Sequence, residues 1–100
     1  MSAVAILGEV LQTRHDLTKF DGVDAPDGTG TPSAVRAAER ERCISDALKG
    51  RHALTWSQVL RECAADTEAA PPDSPRLRRD LIITAAFLVA WVEAIDRRKS

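Results

Sequence analysis

The chain has 100 residues, which is enough for one small domain with a single hydrophobic core. Apolar residues make up 44% and charged residues 29% of it, a globular composition that argues against intrinsic disorder. Lys plus Arg number 14 and Asp plus Glu number 15, so the net charge of −1 gives no electrostatic basis for binding nucleic acid or an anionic membrane.

The first predicted helix runs from about Ala3 to Lys19, because apolar residues recur there at helical spacing and Ser2 can cap it. Residues 21–32 are rich in Gly, Asp and Pro, which predicts a loop. This loop lacks the ligand positions of a calcium site, and no Gly-Lys-Ser/Thr follows for a phosphate site.

The second predicted helix begins at Pro32 or Ser33, after Thr31 as cap, and ends near Leu48 before Gly50. One face carries a thin apolar stripe. The other face carries charges of alternating sign, which favours a solvated surface over a binding patch.

The third predicted helix begins at Thr55, which fits a capping box with Gln58 three residues later. The residues expected to be buried on it are Trp56, Val59, Leu60, Cys63 and Thr67. Glu62 and Asp66 lie one helical turn apart beside this stripe. Two carboxylates in that relation can hold a divalent cation, or they can simply face water.

The fourth predicted helix begins after Ser74 and runs from Pro75 to about Arg97. A bundle-type seam repeats at intervals of three and four residues through Leu77, Leu81, Thr84, Leu88, Trp91 and Ile95. Further apolar residues cover a second face, so the helix should be buried on more than one side, and a second subunit is the natural cover. The prediction is an all-α small four-helix bundle, with residues 81–92 of the central fourth helix at an oligomer interface.

The apolar run from Leu81 to Val92 is about 12 residues, short of the roughly 20 that span a bilayer. Met1–Leu7 lacks the basic start and cleavage site of a signal peptide, so we expect a soluble, cytoplasmic protein. Cys43 and Cys63 have no zinc-type spacing and are predicted to be buried free thiols. The histidines, His15 and His52, are predicted to be surface residues rather than catalytic bases.

Asp80 is the third acidic candidate. If helices three and four form an antiparallel hairpin, Asp80 can approach Glu62 and Asp66, and three carboxylates plus waters suit Mg²⁺. The alternative is structural, with Asp80 interacting with the helix dipole and Glu62 pairing with Arg61. Spacing alone leaves both interpretations open.

Three segments together resemble the MazG-like all-α nucleotide pyrophosphohydrolases, especially their short actinobacterial and actinophage members. TKFDGVDAPDGTG (Thr18 to Gly30) is similar to KWG-x-Q-x-x-PDGTG, and LTWSQVLRECAAD (Leu54 to Asp66) is similar to T-W-x-x-V-L-x-E-E-V-A-E. RLRRDLIITAAFLVAWVEAIDRR (Arg76 to Arg98) is similar to L-R-x-E-L-x-Q-V-A-A-V-x-x-A-W-I-E-A-I-D-R-R. The third segment is the most specific, because its AWVEAIDRR string is long.

The resemblance implies a helical protein that forms dimers or higher assemblies and cleaves a nucleoside triphosphate to monophosphate and pyrophosphate with Mg²⁺. It places Glu62, Asp66 and Asp80 at metal positions, with Glu62 and Asp66 also as catalytic carboxylates. In the enzyme interpretation Lys19 would bind phosphate and Phe20 would stack on the base. The alternatives are a surface lysine and an aromatic residue packed into the core at the end of the helix.

Two acidic positions of the family pattern are changed in this chain. Cys63 stands where the family has a second Glu, and Ile83 stands where it has an Asp. A neutral thiol is a poor ligand for a hard cation. The resemblance therefore predicts either a hydrolase with an eroded metal site or a non-catalytic helical module, derived from that fold, that forms oligomers or binds a partner.

Overall fold

The computed structural model describes residues 2–99, and these residues contain four α-helices, one short 3₁₀ helix and no β-strand. The helices are α1 (Ala3–Asp16), the 3₁₀ helix (Thr18–Phe20), α2 (Pro32–Gly50), α3 (Trp56–Ala69) and α4 (Pro75–Lys99). The predicted all-α class with four α-helices is confirmed.

The predicted helix starts are correct because each depends on a local cap. The capping hydroxyl oxygens accept the backbone N–H three residues ahead at 3.1–3.2 Å, and they belong to Ser2, Thr31, Thr55 and Ser74. The predicted end of α1 was too late. The α-helix stops at Asp16, and the chain tightens into the 3₁₀ turn Thr18–Phe20.

The chain divides into two compact units that are described separately. Unit 1 comprises residues 2–25 and 87–99 of the described part, and unit 2 comprises Pro26–Ala86. The first half of α4 therefore belongs to unit 2 and the second half to unit 1.

In unit 2, α2 packs against α3 through a core of small side chains. Ala38 of α2 meets Ala65 and Ala69 of α3, all at most 8% exposed. Alanines let the two backbones approach closely, but each contributes only about 0.8 kcal/mol for its methyl-sized burial. The α2–α3 pair is therefore close but has little apolar core.

The larger side chains predicted to line the buried face of α3 are only half-buried, namely Trp56, Val59, Leu60, Cys63 and Thr67. Cys43 is exposed, so its predicted burial was wrong, although both cysteines are free thiols as expected. These residues do lie on one face of α3, as the helical period predicted, but the neighbouring helices cover that face incompletely.

The loop before α2 is attached to the segment between α3 and α4. The Gly30 N–H donates to the Glu68 carbonyl at 2.8 Å, and the Asp73 N–H donates to Asp27 Oδ2 at 2.6 Å. These bonds join two parts of unit 2 that are more than 35 residues apart in the chain.

In unit 1, the most buried side chains are Ile6 of α1 and Ala94 of α4, at 2% and 6% exposure. The Phe87 and Trp91 rings lie 6.1 Å apart on one face of α4. The remaining large apolar residues of α1 are exposed, with Val4 at 79%. None of the helices in residues 2–99 combines the length and the apolar character needed to cross a membrane.

Candidate functional site

The candidate carboxylates all lie in unit 2. Glu62 and Asp66 are half-buried on α3, one turn apart as predicted. Asp80 lies five residues after the start of α4 at Pro75, which is beyond the first helical turn, so its interaction with the helix dipole is weaker than the structural alternative assumed. Its side chain is only 12% exposed.

The pKa of the Cys63 thiol depends on these carboxylates. Burial raises the pKa of Cys63, and the negative charges of Glu62, Asp66 and Asp80 raise that pKa further. Glu62 and Asp66 are neighbours of this thiol on α3, and Asp80 acts on it from α4. The approach of Asp80 to the Glu62–Asp66 edge stays a prediction.

Arginine side chains already contact two of the three carboxylates. Arg42 of α2 reaches Asp66 with Nη2 to Oδ1 at 3.4 Å. On α4, Arg76 Nε and Arg79 Nη2 each lie 3.5 Å from a carboxylate oxygen of Asp80. The predicted partner of Glu62, Arg61, forms none of the ion pairs found in residues 2–99.

Of the cross-helix and within-helix arginine contacts, only the within-helix type can be predicted from the sequence. The spacing of Arg76 and Asp80 is i,i+4, which brings two side chains together on any helix. The Arg42–Asp66 pair joins residues 24 apart in the chain, and no local pattern predicts it.

The carboxylates suit Mg²⁺ in chemical type, because that ion prefers hard oxygen ligands. Their arrangement does not suit it. No three His, Cys, Asp or Glu side chains in residues 2–99 are grouped so that they could hold a metal ion. Asp66 and Asp80 also carry arginine partners. The residues of this structure therefore do not fit a resident Mg²⁺, and the magnesium site stays a prediction.

The predicted nucleotide-binding residues, Lys19 and Phe20, belong to unit 1. Lys19 Nζ lies 5.1 Å from the centre of the Phe20 ring, within range of a cation–π contact. Phe20 is 51% exposed. The Phe20 ring is therefore accessible for stacking, although the Lys19 ammonium group already lies over it.

A groove of about 440 Å³ lies beside Phe20, inside unit 1. Its lining is mostly apolar and consists of Ile6, Glu9, Val10, Thr13, Arg14, Leu17, Phe20 and Val92. Arg14 at this groove is paired with Asp21 at 2.9 Å, so its charge is already engaged. The histidines, His15 and His52, are both exposed, as predicted.

A buried polar cluster between α2 and α3 was missed by the sequence analysis. Gln58 turns its side chain away from the predicted capping box, and its Nε2 donates to Glu41 Oε2 at 2.8 Å and to Ser45 Oγ at 3.3 Å. Ser45 is fully buried and Gln58 is 6% exposed. Only the Thr55 half of the capping box is present, because the Gln58 amide reaches across to α2 instead.

Comparisons of the chain with protein-family models, with curated proteins and with solved structures find no match. The MazG-like resemblance therefore stays a prediction drawn from the three sequence segments.

Proposed function

We propose that this protein is a MazG-like helical module whose main action is self-association through α4. The observation that carries the proposal is three consecutive apolar residues in the unit 2 part of α4. Leu81, Ile82 and Ile83 are 52%, 57% and 51% exposed.

Successive residues of an α-helix are about 100° apart, so three exposed neighbours span about 200° of the helix surface. Most sides of this turn therefore face solvent, although all three side chains are large and apolar. Burying apolar area yields about 25 cal/mol per Å², and exposed contiguous apolar surface marks interaction sites. This supports a protein partner on this turn of α4.

We assign the partner as a second copy of the chain, packed with its α4 antiparallel to the first. In a parallel pair each arginine just before the apolar turn would face the same arginine. In an antiparallel pair centred on Ile82, Arg79 instead faces Ala85 and Arg78 faces Ala86. These alanines are small and exposed, so they leave room for the arginine stems.

An exposed apolar face of α1, in unit 1, is independent support for assembly. Val4, Leu7 and Leu11 of α1 are 79%, 48% and 69% exposed and recur at intervals of three and four residues. That spacing forms one apolar helix face, which is typical of a helix that packs against another. A dimer or a larger assembly follows if both faces are used.

Sedimentation across a concentration series tests the proposal with Ile82→Glu and, as control, Ser57→Glu. Ser57 is exposed on α3, so both variants add one negative charge to the surface of unit 2. We expect Ile82→Glu to weaken association by about tenfold or more, and Ser57→Glu to leave it unchanged. A wild-type chain that stays monomeric at every concentration contradicts self-association.

The second candidate is the activity implied by the resemblance, Mg²⁺-dependent cleavage of a nucleoside triphosphate to monophosphate and pyrophosphate. The shared electrostatic effect of Glu62, Asp66 and Asp80 on Cys63 supports it, provided that a metal ion displaces the arginine partners of Asp66 and Asp80. Glu62 and Asp66 would be the catalytic carboxylates, and Lys19 and Phe20 the nucleotide-binding residues. Both functions are proposed for the cytoplasm. The second candidate takes a nucleotide as its ligand, and neither candidate has nucleic acid or a membrane as partner.

Pyrophosphate release tests this second candidate. Any activity of the wild-type chain should fall in Glu62→Gln and in Asp66→Asn and persist in His15→Gln. Equal activity in all three variants would show that another group, or a contaminant, is responsible.

A further inference from the structure

The charge balance around Asp66 and Asp80 is independent of self-association. Asp80 is the more enclosed of the two carboxylates, with 12% of its side chain exposed against 36% for Asp66. A carboxylate so enclosed is stable in its charged form only when a positive charge or several hydrogen bonds compensate it.

Arginine supplies that positive charge to both carboxylates. Arg76 reaches Asp80 from one helical turn earlier, and Arg79 reaches it from the adjacent position, each at 3.5 Å. Arg42 reaches Asp66 from a different helix at 3.4 Å. Guanidinium groups remain charged at every physiological pH, so these pairs persist in the absence of any metal.

We infer that in this chain Arg42, Arg76 and Arg79 occupy the place of a divalent cation as the counter-ions of Asp66 and Asp80. The arginine pairs act as an inhibitory contact, because a metal ion must displace them before it can use either carboxylate. All five residues belong to unit 2, so the contact lies within one compact unit.

The experiment measures Mn²⁺ binding by electron paramagnetic resonance of the free ion, without any nucleotide. The test variant is Arg42→Gln with Arg76→Gln and Arg79→Gln. The matched control is Arg36→Gln with Arg40→Gln and Arg51→Gln. The control removes the same charge from exposed arginines of unit 2 that form none of the ion pairs found in residues 2–99.

The test variant should bind Mn²⁺ at least about fivefold more tightly than the control, since three ion pairs with exposed arginines are lost and each shifts an equilibrium by up to about fivefold. Equal or weaker binding by the test variant overturns the inference, as does a wild-type chain that binds Mn²⁺ as tightly as the test variant. Should the triple variant fail to fold, Arg42→Gln against Arg40→Gln decides the question, with the same direction expected.

Discussion

Gly30 is the glycine whose backbone most clearly requires the absence of a side chain. Its φ is +78°, and a Cβ there would lie 3.0 Å from Pro72 Cδ and 3.2 Å from Pro71 Cα. Its N–H also donates to the Glu68 carbonyl. We expect Gly30→Ala to lower the free energy of unfolding by about 1–3 kcal/mol, measured by urea denaturation, because both strain and a steric clash oppose the new methyl group.

Gly8 provides the matched control. It lies in the middle of α1, and nothing lies within 4 Å of a Cβ added there. Gly8→Ala should therefore raise the free energy of unfolding by about 0.5–1 kcal/mol, because alanine loses less conformational freedom in a helix. Equal effects at the two positions would contradict the conformation described for Gly30.

Cys63 gives a prediction on pH dependence. Burial and the three surrounding carboxylates raise the pKa of its thiol, so the neutral form is favoured in the folded protein. In a Cys43→Ser variant, alkylation of Cys63 should require a higher pH in the native state than in urea, because the thiolate is the reactive species. Because the pKa of the Cys63 thiol is higher in the folded than in the unfolded chain, the protonated thiol stabilises the fold at low pH. This stabilisation is lost as the pH rises from the pKa of the unfolded thiol through the pKa of the folded thiol.

The pH at which the alkylation rate reaches half its maximum, followed by mass spectrometry, is the measurement. A native midpoint equal to or below the midpoint in urea would show that neither burial nor the carboxylates raise the pKa of this thiol. The exposed Cys43, kept alone in a Cys63→Ser variant, should be labelled rapidly in the native protein.

At the scale of elements, the α2–α3 contact combines alanines with one polar cluster. Ser45 Oγ is buried and accepts a hydrogen bond from Gln58, whose amide also binds Glu41. Gln58→Leu should lower the free energy of unfolding by about 1–3 kcal/mol, because it leaves the buried hydroxyl without this donor. Thermal or urea unfolding monitored by circular dichroism measures the loss.

The double variant Gln58→Leu with Ser45→Ala is the control for this prediction. It removes both partners, so the penalty for the unpaired hydroxyl disappears and part of the stability should return. A double variant that is less stable than Gln58→Leu alone would contradict an energetic link between the two side chains.

At the scale of the whole molecule, the question is whether the carboxylates of unit 2 can still form a metal site. Ile83 is 51% exposed and Cys63 is half-buried, so acidic side chains at both positions are tolerable. We expect Cys63→Glu with Ile83→Asp to fold and to bind Mn²⁺ more tightly than wild type, by about tenfold, because five carboxylates would then outnumber the three arginine partners. Calorimetric titration of Mn²⁺ checks this.

Cys63→Gln with Ile83→Asn is the matched control, since it has similar shape without the charge. Its Mn²⁺ affinity should equal that of wild type. A folded acidic variant with no gain over this control would show that the resemblance has misplaced the metal positions, and the self-association module would then be preferred on its own.

Much of the helix framework could be predicted from the sequence. The starts at Pro32 and Pro75 are correct, because a capping hydroxyl and the backbone N–H that it binds are only three residues apart. The one-turn relation of Glu62 and Asp66 follows equally from helical geometry. The end of α1 at Asp16 was missed, since its last turn changes to a 3₁₀ helix without a glycine or proline to mark the change.

Burial could not be predicted in the same way. Periodicity identifies an apolar face but not the amount of neighbouring chain that covers it, so Cys43 was expected inside and lies exposed. Gln58 was expected to cap its own helix, but its side chain reaches Glu41 and Ser45 on another helix. Such partners depend on how α2 packs against α3.

The all-α class, the helix starts and the local spacing of Glu62 and Asp66 follow from the sequence alone, because helical hydrogen bonds and caps act over three or four residues. In contrast, helix packing places the negative charge of Asp80 where it acts on Cys63 and brings Arg42 to Asp66 from 24 residues away. Contacts at that separation depend on the packing of whole helices, in which many side chains compete for the same few neighbours.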